Sequence, residues 1–231
     1  MPLEFTLCHP SQVRTHLIYL FGLVCLSQAA NLVRLAQPAP IEVIGFWRLL
    51  GAALVMGLIA SEGRPLFKRL KDTSSKEMLS ISLSSVFFFT HLWTFFYAAH
   101  HTQIANCMIL FAINPLFTSA GSALLFQEKF RLRHALAWGL ALLATVALLS
   151  DQLSGVSKLN LGDLSALLSA LLFAGYMLSS KKARRTLENS WFTFSIYFLS
   201  AILFLFSAFL QNYSLITWPL QTWLAILGLI I

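Results

Sequence analysis

The chain has 231 residues, of which 58% are hydrophobic and only 11% are charged. A soluble domain usually carries about 25% charged residues, so this composition excludes an ordinary water-soluble enzyme and a disordered chain. The formal net charge of +7 would suit a nucleic-acid-binding protein, but the positions of the basic residues along the chain favour a different explanation. The three cysteines are an odd number, and two lie in apolar runs, so they predict neither a disulfide framework nor a metal site.

Long apolar runs dominate the sequence. A helix needs about 20 mostly apolar residues to cross the roughly 30 Å of hydrocarbon in a bilayer. The run from Met78 to Gln127 holds no charged residue and is too long for one helix, so the polar stretch from His100 to Gln103 predicts a hairpin of two spans. The other predicted spans are residues 15–33, 41–60, 134–150, 164–180 and 191–210. The alternative for the first span is a cleaved signal peptide.

An eighth apolar run begins near Gln221 and reaches Ile231 after too few residues to cross a bilayer. A half-inserted helix would leave backbone groups unpaired in lipid. We therefore expect the sequence to be a fragment or a truncated reading frame, and we predict an all-α polytopic membrane protein with about seven and a half spans.

The basic residues fall on one side of this topology. Twelve Lys and Arg residues lie in the loops around 61–77, 128–133 and 181–185, whereas the alternate loops hold only Arg34 and Lys158. Lys and Arg accumulate in the cytoplasmic loops of membrane proteins. The pattern predicts a cytoplasmic N-terminus and argues against a nucleic-acid partner.

Arg48 is the most unusual residue inside a predicted span. It lies about seven residues, or roughly 10 Å, from the nearer end of the second span, and no Asp or Glu lies deep in any span to pair with it. Ionisable residues in the membrane are expensive and often functional. One interpretation is an anion-attracting group that lines a cavity. The other is that Arg48 extends to lipid phosphates or caps the carbonyls of a neighbouring helix.

The third span places Thr90, Thr94, Tyr97 and His101 on one helical face. His91 and Trp93 lie beside that face, and a polar stripe with aromatic neighbours suits a substrate pathway. The hydroxyls can equally bond to their own or adjacent helices. His91 can carry a proton or simply be hydrogen-bonded.

The fourth span carries Asn106, Asn114, Thr118 and Ser122, with Pro115 near its centre. Proline removes one backbone hydrogen bond and kinks a helix. Transporters often build sites at such interruptions near the midplane, although a kink can also serve only packing. We predict that Pro115 kinks the helix and that Asn114 faces the pathway.

Small residues at every fourth position predict close helix packing in two spans. They are Ala166, Ala170 and Ala174 in the sixth span, and Ala53 and Gly57 in the second. The sequence contains no nucleotide-binding loop, paired intramembrane carboxylates, zinc-protease motif or nucleophile elbow, so we expect no enzyme, no cofactor and no metal.

In order and spacing, these residues resemble the drug/metabolite transporter superfamily, and specifically its EamA-type members, from about Ser27 to Phe209. The resemblance rests on the following residues: Leu32 to Ala36, Phe46 to Arg48, His91, Trp93, Thr102, Ala105, Asn106, Pro115, Leu116, Glu128, Gly139, Gly162, Asp163 and Tyr176. The chain departs from the family at Gln127, where glycine is common, and at Leu26 and Ser27, where an aromatic residue is often found.

The resemblance implies ten helices arranged as an inverted repeat of five-helix units. It divides this chain into a cytoplasmic tail over 1–14, a first repeat over 15–150 and an incomplete second repeat over 161–231. It also implies a secondary transporter of the inner (plasma) membrane that exports small metabolites or drug-like compounds by alternating access. The alternative is a truncated, non-transporting membrane protein derived from such a transporter.

We expect the partners to be a small-molecule substrate and the lipid bilayer, with a homodimer as one option for assembly. The predicted substrate pathway contains Arg48, His91, Trp93, Tyr97, Asn106 and Asn114. In this hypothesis Arg48 attracts an anionic group, the aromatic residues supply apolar contact, and the asparagines fix the orientation of the substrate.

Overall fold

The structure is a computed structural model that describes residues 10–62, 65–127, 138–140, 143 and 160–230. Its longer helices, in chain order, are α1 (Pro10–Ser27), α2 (Ala29–Leu35), α3 (Ile41–Ser61), α4 (Leu66–Asp72), α5 (Ser75–His101), α6 (Ile104–Phe111), α7 (Asn114–Phe126), α8 (Leu161–Ala183), α9 (Asn189–Leu210) and α10 (Leu220–Ile230).

Within these described residues, five helical stretches are long and apolar enough to cross a membrane. They are Ile41–Ser61, Ser75–His101, Ile104–Phe126, Leu161–Lys181 and Asn189–Leu210. These five agree with the predicted second, third, fourth, sixth and seventh spans. The apolar composition of each run explains the agreement, because only a helix satisfies all its backbone groups in lipid.

The remaining predicted spans have different outcomes. The first is divided at Gln28 into α1 and α2, and the apolar helix at Tyr19–Leu35 is shorter than a full span. The eighth is the short helix α10. The fifth, over 134–150, lies outside the described residues apart from 138–140 and 143, as does the basic loop over 128–133.

Two local interruptions shape the long charge-free run. The polar turn lies at Thr102 and Gln103, between α5 and α6. A second interruption at residues 112–113 separates α6 from α7, and Pro115 is the second residue of α7. Proline is tolerated in the first turn of a helix, where the missing N–H has no partner in any case.

Two helix pairs form the centre of the bundle: α5 packs along α8, and α3 packs along α9. Ala166, Ala170 and Ala174 are all at most 2% exposed, which confirms the packing role predicted for these small residues. In the second pair, Ala53 and Gly57 are also buried. Small side chains let two backbones approach closely and gain van der Waals contact.

The outer faces of the bundle are apolar. In α3 the exposed side chains include Leu54 and Leu58, and in α9 they include Ile202, Phe206 and Phe209. A contiguous apolar surface of this kind would be a liability in water but suits contact with lipid. The described helices therefore have the surface of a multi-pass membrane protein.

Candidate functional site

A cavity of about 310 Å³ lies between α1, α2, α3, α5, α9 and α10. Its wall includes Arg48, Ala52, Met56, Phe88, Tyr197 and Leu229. We call it the Arg48 cavity. Apolar and aromatic groups make up most of this set, with the guanidinium and a phenol as the polar groups.

Arg48 is held in place by weak contacts. Its Nε donates a hydrogen bond of 3.3 Å to the carbonyl oxygen of Leu229, and its guanidinium carbon lies 5.6 Å from the centre of the Phe96 ring. Such a cation–π contact stabilises a cation without cancelling its charge. Among the described residues, Arg48 forms no ion pair with a carboxylate. Its positive charge is therefore available to an anion that enters the cavity.

His91 lies in an aromatic cluster next to this cavity. Its Nδ1 is 2.8 Å from Oγ of Ser169 on α8, and its ring packs on Phe111 and Phe173 with centroids 5.3 and 4.8 Å away. Phe88 joins the two sites, because its ring lies 6.1 Å from the ring of His91 and also lines the Arg48 cavity. The His91 ring is therefore separated from the cavity by the Phe88 ring.

Trp93 and Tyr97 belong to a separate network near the N-terminal end of α3. The Trp93 Nε1–H donates a 3.0 Å hydrogen bond to Oε1 of Glu42, which also accepts one from Gln211 at 3.0 Å. Glu42 is 4% exposed. The Tyr97 ring stacks between Trp93 and His101, at 5.7 and 4.0 Å. This network joins α3, α5 and the residue after α9.

Asn106 lies where the α5–α6 turn meets the start of α8. The carboxylate of Asp163 accepts hydrogen bonds from Thr102 Oγ1 at 2.5 Å and from Asn106 Nδ2 at 3.4 Å. It also accepts one from the backbone N–H of Asn160, whose side chain accepts one from the Asp163 N–H in return. This reciprocal pattern is that of a capping box at a helix N-terminus.

Two further residues tighten this contact. The Arg34 guanidinium donates to the backbone carbonyls of Ala99 and Thr102 at the end of α5. Gly162 lies so close to that turn that a Cβ atom there would be 2.8 Å from the carbonyl carbon of His101. We call the set Arg34, Thr102, Asn106, Gly162 and Asp163 the Asp163 junction.

Asn114 and the predicted threonine stripe bond within their own helices. The Asn114 Oδ1 accepts a 2.8 Å hydrogen bond from Thr118 one turn later. Thr90 donates to the Val86 carbonyl and Thr94 to the Thr90 carbonyl. For the threonines this agrees with the alternative in which hydroxyls bond back to their own helix.

Of the six predicted pathway residues, Arg48 lines the Arg48 cavity, and His91 is one ring away from it. Trp93 and Tyr97 belong to the network around Glu42. Asn106 belongs to the Asp163 junction, and Asn114 bonds to Thr118 within α7. Phe88, Met56 and Tyr197 also line the cavity and were not predicted from the sequence. Tyr197 could have been selected as a candidate, because a tyrosine inside an apolar span usually has a polar partner for its hydroxyl group.

The described residues contain no group of three or more His, Cys, Asp or Glu side chains placed to hold a metal ion. What the site offers is one cation, a phenol and apolar walls.

Residues 16–150 match the model of a family described as the EamA-like transporter family. The chain belongs to the EamA-like transporter family. The match covers α2 to α7, and so includes Arg48, His91, Trp93, Tyr97, Asn106, Asn114 and Pro115. No curated protein is a match for the chain. Membership of the EamA-like family, together with the apolar spans, makes this a multi-pass membrane protein.

Proposed function

We propose that this EamA-like chain is a secondary transporter that exports small metabolites or drug-like compounds by alternating access, and that it binds an anionic group at Arg48. Family membership supports transport. The observation that carries the substrate preference is the Arg48 charge, which faces a cavity and has no carboxylate partner among the described residues.

The size of the cavity favours a small ligand. Ligand pockets usually measure about 300–1,000 Å³, and the Arg48 cavity is near the lower limit at about 310 Å³. A guanidinium presents a planar pair of N–H donors that fit a carboxylate. Phe88 and Tyr197 would cover the apolar part of the same molecule. The substrate class that follows is a small amphipathic anion.

The proposed orientation places the N-terminus in the cytoplasm and the chain in the inner (plasma) membrane. Its support is the unequal distribution of Lys and Arg between alternate loops. Single-cysteine labelling at Lys68 and at Asn212 would test it. Modification of position 212, but not 68, by an impermeant reagent added to intact cells supports the proposal, and the reverse pattern contradicts it.

The proposed mechanism requires an inverted pair of repeats, of which this chain holds the first over 15–150 and an incomplete second over 161–231. In such a protein, movement of one repeat against the other exposes a midplane site to each side in turn. The walls of the Arg48 cavity come from both segments, since Phe88 precedes residue 150 and Tyr197 follows residue 161. A relative movement of the segments would therefore change access to Arg48.

A matched ligand series can test the charge preference with purified protein in detergent. Phenylacetate, neutral phenylacetamide and cationic phenethylammonium share one ring and differ in charge. We expect phenylacetate to bind at least about tenfold more tightly than phenylacetamide, as a charged hydrogen-bonded pair in a poorly hydrated site allows. Arg48→Ala should abolish this preference, and Arg48→Lys should keep part of it.

Arg185→Ala is the control for this series, because it removes an equal charge from an exposed position. It should leave the preference unchanged. Equal binding of the three compounds to the unmodified protein, or an equal effect of Arg185→Ala, would contradict the anion site.

Export is then tested by uptake of the preferred anion into everted membrane vesicles, where Arg48→Ala should lower the initial rate. Binding without any uptake would support the non-transporting alternative.

A further inference from the structure

A second concave site lies on the outer surface of the bundle, away from the Arg48 cavity. It is a groove of about 370 Å³ between α4, the start of α5 and the first half of α9. Its walls include Leu66, Phe67 and Leu70 from α4, Ile81 from α5, and Phe194 and Phe198 from α9. We call it the α4 groove.

The α4 groove is open to the surroundings of the protein. Phe67 is 68% exposed, Leu70 is 46% exposed and Phe198 is 44% exposed. In a membrane protein, exposed apolar walls of this kind are in contact with lipid. On that surface the α4 groove is a concave strip that runs along α9.

Its length fits one leaflet of a bilayer. The α9 wall runs from Trp191 to Leu199, which is about 12 Å of helix at 1.5 Å per residue. One leaflet contributes half of the roughly 30 Å hydrocarbon thickness. Trp191 is in the first turn of α9, and tryptophan side chains concentrate at the membrane–water interface. The groove therefore extends from the interface into a single leaflet.

The wall formed by α4 is fixed to the bundle. The Trp191 Nε1–H donates a 3.1 Å hydrogen bond to Oγ1 of Thr73, the residue that ends α4. Arg69 of α4 forms an ion pair with Glu188, immediately before α9. Both contacts hold the short helix against α9, so the groove is a built feature of the fold.

Positive charge lies at the rim of the groove. The Lys71 Nζ is 4.6 Å from the centre of the Phe67 ring, and Phe67 is itself a wall residue. Lys68 is exposed on the same helix. Arg69 is neutralised by Glu188, and Asp72 is the one acid of α4. The rim thus offers the Lys71 ammonium group beside an apolar channel.

We propose that the α4 groove binds a phospholipid of the surrounding bilayer with an anionic headgroup. One acyl chain lies in the groove along α9, and the headgroup phosphate lies at Lys71. Basic residues close to a membrane surface attract anionic lipids, and the apolar groove adds a position for the chain that a charged surface alone lacks. This site is separate from the proposed anion site at Arg48.

Native mass spectrometry of the full chain in detergent tests this proposal. The protein is mixed with equal amounts of phosphatidylglycerol and phosphatidylcholine that carry identical acyl chains. We expect phosphatidylglycerol adducts to exceed phosphatidylcholine adducts by about fivefold or more, the effect of a basic residue near an anionic headgroup. Lys71→Gln should bring the ratio close to one.

Two further variants locate the site. Arg185→Gln removes an equal charge from an exposed position in the other described basic loop and should leave the ratio unchanged. Leu70→Glu places a carboxylate in the groove wall at a half-exposed position and should lower adducts of both lipids. Circular dichroism confirms that each variant remains helical.

Three results would overturn the proposal. The first is equal binding of the two lipids to the unmodified protein. The second is an equal fall in the ratio for Arg185→Gln and Lys71→Gln, which would indicate diffuse surface charge. The third is a lipid-free dimer that is lost in Leu70→Glu, which would identify a second copy of the chain as the occupant.

Discussion

The Asp163 junction and the Arg48 cavity both place a charged side chain inside an apolar bundle, but they use it in opposite ways. At the junction, the Asp163 carboxylate accepts hydrogen bonds from Thr102, Asn106 and the backbone of Asn160. In the cavity, Arg48 has one long hydrogen bond to a carbonyl and a ring contact. A charge with several donors joins helices, whereas a charge that faces open space is available to a ligand.

This difference predicts opposite effects of removing each charge. A buried donor left without its partner costs free energy, because it has lost its hydration and gained nothing in return. An unpaired buried charge is itself costly, so its replacement by an apolar group of similar size is often neutral or stabilising. Asp163→Ala and Arg48→Met test this contrast through thermal unfolding of the purified protein, and Gly162→Ala and Ser169→Ala test the contacts around the two sites.

The largest loss is expected for Asp163→Ala. It leaves the Thr102 hydroxyl and the Asn106 amide without their shared acceptor, and hydrogen bonds to a charged group contribute about 1.5–3 kcal/mol each. We expect a loss of about 3 kcal/mol. Glu62→Ala, at an exposed acidic residue, is the control and should change little. A stability equal to that of the unmodified protein would show that the junction does not hold α8 to the α5–α6 turn.

Gly162→Ala should be the next most damaging. The added Cβ would lie 2.8 Å from the His101 carbonyl carbon and 2.9 Å from the Thr102 nitrogen, and these backbone atoms cannot move as a side chain can. Overpacking of this kind costs about 1–3 kcal/mol, so we expect about 2. Gly139→Ala places its new methyl group more than 4 Å from any atom beyond its own helical segment among the residues that the structure describes and serves as the control. Equal unfolding midpoints for both variants would contradict the close contact.

Ser169→Ala should have a smaller effect, of about 1 kcal/mol, because it removes the hydroxyl that lies 2.8 Å from Nδ1 of His91. Ser165→Ala is the matched control on the same helix. If the loss at Ser169 also weakens phenylacetate binding, the His91 cluster supports the cavity through Phe88. Unchanged binding would place His91 with the residues that only join helices.

The smallest change in stability is expected for Arg48→Met, and unlike the three variants above it should not destabilise the protein. Methionine fills a similar volume without a charge, so we expect stability to be unchanged or raised by up to about 1 kcal/mol. Arg184→Met is the comparison, since Arg184 donates to Asn189 and Tyr176 and should lose about 1 kcal/mol. Destabilisation by Arg48→Met as large as that by Asp163→Ala would show that Arg48 is structural.

The helices were more predictable than their contacts. Residues 41–60 and 191–210 are almost free of charge, so a membrane-crossing helix was the only good solution for each. The break at Thr102 and Gln103 followed from a polar stretch between two apolar runs. By contrast, nothing near Gln28 signals the end of α1, because no glycine or proline marks the break there.

The site was predicted in part because its residues depend on which helices meet. Arg48 could be selected from the sequence, since an arginine inside an apolar run needs an explanation wherever the helix packs. Glu42 lies close to the edge of its span, and its pairing with Trp93 and Gln211 exists only once α3, α5 and α9 are together. The same holds for Tyr197, which reaches the cavity through the packing of α9 against α3.

The pairing of α3 with α9 also has a consequence for biosynthesis. The ribosome must add the residues from Ser61 to Leu210 before the second helix of the pair is complete, which takes roughly 7–30 s at about 5–20 residues per second. During that interval the small-residue face of α3 is without its native neighbour, and Glu42 is without Gln211. In nascent chains this face of α3 is therefore covered by lipid or by another helix until α9 is complete.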